Sequence, residues 1–262
     1  MGMKSGSLTV VGTGIGFRRQ LIPAAEAAIR NADRLLYQIG DSLTAQWLHG
    51  LNPSAESLSR SVTDEPILRS HVYEAMAERV VAVVAGGHDV CLVTYGHPGV
   101  YQHAVHRSME LVRAAGMPAT MLPGISALDC LIADLGIEIG SGCQLLDASA
   151  LVLQNKPLDP TSTLILFQIG MFGNPYYRGD RPAPLHRLGD RLRGEWGADQ
   201  EATFYEAAML PIWDPVVRKV RLSDLEAAPM TERTLVYLPP VTMAEPNVLA
   251  TAEIAAWLAR HR

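Results

Sequence analysis

The chain has 262 residues, 48% hydrophobic and 19% charged, enough apolar material for one large or two medium domains. Its net charge of −5 argues against a nucleic-acid binder, which presents a basic face to phosphates, and no apolar run reaches the ~18 residues of a membrane-spanning helix. The three cysteines, Cys91, Cys130 and Cys143, are isolated and lack metal-ligand spacing, so they read as small buried residues of a reducing compartment, and a cytoplasmic location is expected.

The opening MGMKSGSLTVVGTG leads straight into a strand and a glycine turn, not into a signal segment. IPAAEAAIRNA follows as a helix with Pro23 in its first turn, and DRLLYQI as a second strand. A longer helix is expected from about Asp64 to Ala85, stopped by Gly86 and Gly87. DVCLVTYG is the next strand, GVYQHAVHRSMELVRAAG the next helix, PATML a short strand and ISALDCLIADLGI a further helix. This alternation predicts a mostly parallel sheet with helices on both faces.

Past Ile139 the rhythm changes. CQLLDASALVL, STLILFQIG, EATFYEAA, PVVRKVRLSDL and RTLVYLPP read as strands, with one clear helix between them at Leu185–Gly194. That pattern predicts an α+β domain with mixed or antiparallel pairing. The expected division is an α/β domain over 1–139, an α+β domain over 140–240 and a helical tail over 241–262. The tail helix, NVLATAEIAAWLARHR, carries Val248, Ala252, Ala255 and Ala259 on one side. It is expected to pack, with Trp257 and Leu258 held against the body or a second subunit.

Three stretches bear on chemistry. GTGIG, Gly12 to Gly16, stands between a strand and a helix but departs from the G-x-G-x-x-G of dinucleotide sites. No acidic residue follows directly on the second strand, where Asp41 is the nearest, so a tight structural or substrate-side turn is the better reading. YGHPGVY, Tyr95 to Tyr101, ends another strand, where open α/β sheets place their ligands. Gly96, Pro98 and Gly99 would let backbone approach a ligand closely and hold the turn stiff. LPGIS repeats the pattern, with Ser126 either as a ligand hydroxyl or as a helix N-cap. Arg69 and Tyr73 stand four apart, on one face of the long helix.

Together these stretches resemble the tetrapyrrole methylase superfamily. AQWLHGLNP, RSHVY, YGHPGVY, PGISALDCLIADLGI, FQIG and YEAAMLP resemble most closely the borosin peptide α-N-methyltransferases of the split type. The resemblance implies a two-domain fold with a parallel-sheet N-terminal domain and a mixed C-terminal domain. It implies S-adenosylmethionine held in the cleft between them, leaving as S-adenosylhomocysteine. Tyr95, His97, Val100 and Tyr101 would contact the donor from one turn, and Ser126 and Ala127 from the next. Gln168, Tyr205, Ala207 and Met209 would contact it from the second domain. Arg69, Tyr73 and Tyr95 match the catalytic positions. Relatives carry a further tyrosine in the loop before the Arg69 helix; here that loop reads LSRSV, with Arg60 at about that place. The resemblance also implies a homodimer and a separate precursor peptide as acceptor, with no nucleic acid and no membrane. A tetrapyrrole carbon methyltransferase and a cofactor-binding partner without catalysis are the alternative functions.

A backbone amide nitrogen is a poor nucleophile because its lone pair is delocalised into the carbonyl. Methylating it needs a base, a group to hold the carbonyl oxygen as it becomes imidate-like, and exclusion of water. A tyrosine with an ordinary pKa near ~10 can take the proton if a cation favours its phenolate, which suits Tyr73 beside Arg69. Tyr95 suits the oxygen, and His97 suits turn bracing and donor contact. No HExxH or clustered Cys/His pattern calls for a metal.

Overall fold

A computed structural model describes residues 5–61, 67–177 and 184–260. The chain divides into two compact units. The first holds residues up to Ile137 and also takes residues 173–177 and Tyr205–Val217; the second holds Glu138–Phe172, Pro184–Phe204 and the described residues from Arg218 onward.

The first unit is built on a five-stranded sheet. Its strands are β1 (Ser7–Gly12), β2 (Arg34–Gln38), β3 (Glu56–Ser57), β4 (Asp89–Thr94) and β5 (Ala119–Met121), in the order β3-β2-β4-β1-β5. All its pairings are parallel; Val10 lies opposite Leu92 on one side and Met121 on the other. A parallel sheet needs crossovers, and these are the helices α1 (Pro23–Asn31), α2 (Ser42–Leu51), α3 (Arg69–Ala85) and α4 (His103–Ala114), with α5 (Ala127–Leu135) after β5. Side-chain alternation sorts the core into two layers. On one face Leu8, Val10, Leu36, Val90 and Leu92 meet Val72, Met76 and Val80 of α3 and Val105, Met109 and Val112 of α4. On the other, Val11, Leu35, Tyr37, Cys91 and Val93 meet Ala25 and Ile29 of α1 and Leu48 of α2. Burial from both sides is why these strands read as near-continuous apolar runs.

Two helices of this unit depart from the sequence reading. α2 was not expected; Asp41 is its N-cap, its carboxylate accepting the Thr44 N–H at 2.7 Å. The acidic residue that follows the second strand is thus a helix start, not a ribose ligand. α3 begins at Arg69, later than Asp64, and residues 62–66 lie outside the described residues.

The second unit holds the mixed sheet, ordered β6-β7-β10-β8-β9. β6 (Cys143–Asp147) is parallel to β7 (Thr163–Phe167), and β10 (Leu235–Leu238) is antiparallel to β7. Residues Glu201–Phe204 of β8 (Glu201–Glu206) and Arg218–Arg221 of β9 (Val216–Arg221) belong to this unit and complete it. CQLLDASALVL is not one strand. It turns at Asp147, whose carboxylate accepts the Ala150 N–H at 2.8 Å and starts helix α6 (Ala148–Leu153). α7 (Leu185–Trp196) buries Leu188, Leu192 and Trp196, and the Trp196 indole N–H donates to the Pro239 carbonyl at 3.0 Å. α8 (Val248–Arg260) buries none of its residues. Trp257 is 53% exposed and Leu258 47%, so neither is buried in the single chain.

Candidate functional site

Because β4, β1 and β5 are adjacent and parallel, the turns that follow them emerge side by side at one sheet edge. They are locked together by backbone. Gly14 and Gly96 exchange N–H···O bonds at 3.3 and 3.0 Å. A Cβ on Gly12 would lie 1.9 Å from the Gly96 carbonyl oxygen, and one on Gly124 3.3 Å from it. Gly12 and Gly124 are therefore needed where these turns cross closely, and Gly96, at φ 73°, is needed for its left-handed backbone. The N–H groups of Gly14, Ile15 and Gly16 are all occupied, the last two by the Gln20 side-chain oxygen at 2.7 and 2.9 Å. No donor of the GTGIG turn is left for a pyrophosphate, so it is a structural turn.

The YGHPGVY turn is braced from within. His97 Nδ1 accepts the Gly99 N–H at 2.9 Å, and the Val100 N–H donates to the His97 carbonyl at 3.2 Å. Gln102 donates to the Tyr95 carbonyl at 3.2 Å, and His106 Nε2 lies 3.0 Å from the Gly99 carbonyl. Tyr101 sits at φ 54°, in the left-handed region, and is 41% exposed. Tyr95, His97 and Val100 are half-buried.

In the second turn, Ser126 is 4% exposed and its hydroxyl is committed. It donates to the Asp129 carboxylate at 2.7 Å and accepts the Leu128 and Asp129 N–H groups, while Asp129 accepts the Ser126 N–H. This is a capping box, so of the two readings of Ser126 the helix cap is the one seen. Ala127 is the first residue of α5.

The chain returns to this unit at Tyr205. That side chain is fully buried, and its hydroxyl donates to Asp134 of α5 at 2.6 Å. Burial and the Asp134 carboxylate hold the phenol well above its ordinary range, so it stays protonated. The Met209 carbonyl accepts the Phe17 N–H at 2.8 Å, tying this segment to the GTGIG turn. Ala207 lines a cavity of about 630 Å³ with Arg19, Gln20, Cys130, Asp134 and Pro215, a volume in the range of small-ligand sites. Sequence reasoning missed this cavity, since its residues come from three distant stretches. Gln168 belongs to the second unit, at φ 61° between β7 and a 3-10 turn.

Arg69 and Tyr73 are both half-buried on the first turns of α3. Burial pushes the Tyr73 phenol up; Arg69 pulls it down but less strongly, so the net direction is upward. The His103 ring lies 5.9 Å from the Tyr73 ring, tilted by 37°, and the Tyr177 ring meets it edge-on at 5.9 Å and 86°. Neither neighbour was singled out from sequence, and Tyr177 lies over a hundred residues away. The Tyr177 hydroxyl is 3.1 Å from that of Ser59, in the LSRSV loop, whose Val62 lies outside the described residues. Among the described residues no group of three or more His, Cys, Asp or Glu is placed to hold a metal.

The family model of the tetrapyrrole (corrin/porphyrin) methylases matches residues 7–209 of this sequence. The chain belongs to the tetrapyrrole methylase family. The fold agrees: a uroporphyrin-III-C-methyltransferase structure from Thermus thermophilus superposes with a TM-score of 0.64 at 20% identity, covering 90% of this chain and 93% of that one. The chain is 36% identical to a methyltransferase/ribosomally synthesized cyclic peptide dendrothelin A precursor from Dendrothele bispora, over 93% of this chain and 60% of that protein. A methyltransferase/ribosomally synthesized type I borosin cyclic peptide precursor from Coprinopsis marcescibilis is 34% identical, over 90% of this chain and 63% of its own. This tetrapyrrole methylase chain thus spans about three-fifths of the length of those relatives.

Proposed function

We propose that this chain transfers methyl groups from S-adenosylmethionine to backbone amide nitrogens of a ribosomally made precursor peptide, supplied as a separate chain. The supporting observation is likeness over 90% or more of this chain to relatives whose names join methyltransferase to cyclic peptide precursor. The donor supplies an electrophilic methyl on sulfonium. The residue types fit it: the exposed Tyr101 ring and the half-buried Val100 and Ala127 offer flat apolar faces, and the His97-braced turn holds them. Ser126 contributes shape and not a hydrogen bond, because its hydroxyl and N–H are engaged. Gln168, Tyr205, Ala207 and Met209 are the remaining donor contacts in this reading, Tyr205 acting through its buried ring.

Tyr73 is the base and Arg69 the cation that favours its phenolate. Because burial sets the phenol above its ordinary value, Arg69's opposing pull is what the base role needs. Tyr95 donates to the amide oxygen as negative charge grows there, an interaction worth roughly 3 kcal/mol in comparable sites. The stretch Val248–Arg260 is helical, so it is not the extended acceptor that such a site needs. A homodimer is proposed as well, because the apolar residues Ile254, Trp257 and Leu258 of α8 are exposed in the single chain.

The test is intact-mass measurement of a valine- and isoleucine-rich peptide incubated with the chain and the donor. Increments of one CH2 unit are expected. A porphyrinogen methylated in its place would favour carbon methylation, the reading suggested by the family's description; donor binding with neither product would favour a partner protein without catalysis.

A further inference from the structure

The stretch at residues 173–177 returns to the start of α3. The Tyr177 N–H donates to the Ile67 carbonyl at 3.0 Å, and the Arg69 N–H donates to the Pro175 carbonyl at 2.8 Å. Leu68 and Tyr176 form an antiparallel bridge between these two bonds. The stretch also reaches the two side chains that matter. The Tyr176 carbonyl accepts from Arg69 Nη2 at 3.3 Å, and the Tyr177 ring meets the Tyr73 ring edge to face. From the other side comes the His103 ring of α4. Tyr177 is itself anchored by the hydroxyl contact to Ser59, on the 3-10 turn Leu58–Ser61.

We propose that Tyr177 is a positioning residue of the reaction centre, fixing the Tyr73 phenol by ring contact and fixing its own ring through Ser59. The proposal rests, for its kinetic arm, on the methyl-transfer reading above. Core packing alone needs carbon surface, which phenylalanine supplies equally well. Here a half-buried phenol is held between two rings, and one of those rings is tied down through its hydroxyl. Such a clamp narrows the directions in which the Tyr73 oxygen points, and misplacement by about 1 Å can cost roughly a hundredfold in rate. Among the described residues, the charged and titratable groups facing Tyr73 are Arg69 from its own helix, His103 from α4 and Tyr177 from the returning stretch. A charge on Tyr177 resists ionisation of Tyr73.

Tyr177→Ala, Tyr177→Phe and Ser59→Ala test this, with Tyr73→Phe as reference. In methyl transfer, kcat is expected to fall at least about tenfold in Tyr177→Ala, with the donor KM held within about twofold. Tyr177→Phe and Ser59→Ala each fall about threefold, and their double variant falls no further, because both remove one bond. A second arm needs no substrate. The ultraviolet titration of the protein, minus that of Tyr73→Phe, isolates the Tyr73 phenol, and its midpoint is expected to move down in Tyr177→Phe. An unmoved midpoint in Tyr177→Phe overturns the proposal, and so does wild-type kcat in Tyr177→Ala. In either case an inactive Tyr73→Phe leaves the methyl-transfer reading standing. A shifted midpoint in a protein that methylates no peptide sinks that reading and keeps the coupling of the two phenols. If Tyr177→Ala fails to fold, Tyr177→Phe and Ser59→Ala decide.

Discussion

Single side chains carry the sharpest predictions. Tyr73→Phe and Arg69→Ala are expected to lower kcat far more than they weaken donor binding, measured by steady-state kinetics beside calorimetry, because the proposed interactions form mainly in the transition state. The pH dependence follows from the direction at Tyr73. Arg69 lowers this phenol, so in Arg69→Ala the rise of rate with pH, as Tyr73 ionises, moves to higher pH. A limb that stays in place would remove Tyr73 from the base role. Tyr205 gives a stability prediction. Its folded pKa is raised, so the folded state holds a proton that the unfolded chain releases above about pH 10. Its stabilisation is therefore fully present below that pH and lost as pH rises further, and denaturant unfolding of Tyr205→Phe should show a shallower alkaline decline. Of the site, the residue types were legible, since a phenol four residues from a guanidinium is visible in RSHVY. Their setting was not: Tyr177 and His103 reach Tyr73 through contacts that no local spacing encodes.

At the scale of elements, the turns at the sheet edge behave as one unit. The Gly12 Cα lies where any Cβ meets the Gly96 carbonyl, so Gly12→Ala should cost roughly 3 kcal/mol, the upper end of overpacking. Thermal melting should show a drop of roughly 6–12 °C. Ser126→Ala removes the α5 cap and should cost about 1 kcal/mol, with donor affinity unchanged by calorimetry, since that hydroxyl faces Asp129. A large loss of affinity would show that the Ser126 hydroxyl itself bonds the donor. Helix signals explain the two helices, α2 and α6, that the sequence reading did not foresee. Asp41 and Asp147 each cap a helix that starts directly behind a strand, and in DASALVL the apolar residues suit strand and helix alike.

For the whole molecule, the exposed apolar residues of α8 and the proposed dimer stand together. Light scattering at micromolar concentration should give twice the 28.4 kDa chain mass. Trp257→Glu should shift that value toward the monomer; an unchanged dimer would place the interface elsewhere. Intact mass of the chain purified without any precursor should show no added CH2 units, and methyl additions on its own residues would refute a separate acceptor.

What the sequence determined by itself was the alternation of strands and helices up to about Ile139 and the change of rhythm after it. Parallel strands buried on both faces must be apolar throughout, and their crossovers must be amphipathic, so the pattern is written locally. The three turns were legible for the same reason: glycine and proline declare a bend wherever they stand. Tertiary structure decided which bonds and close approaches each turn residue makes. Ser126 is a cap, Gly12 makes room for the Gly96 carbonyl, and Gln20 consumes the donors of GTGIG. It also decided that residues 173–177 and Tyr205–Val217 cluster with the first sheet although their neighbours in the chain belong to the second. Such returns are fixed by long-range pairings between backbone groups, and backbone groups are the same at every position of a sequence.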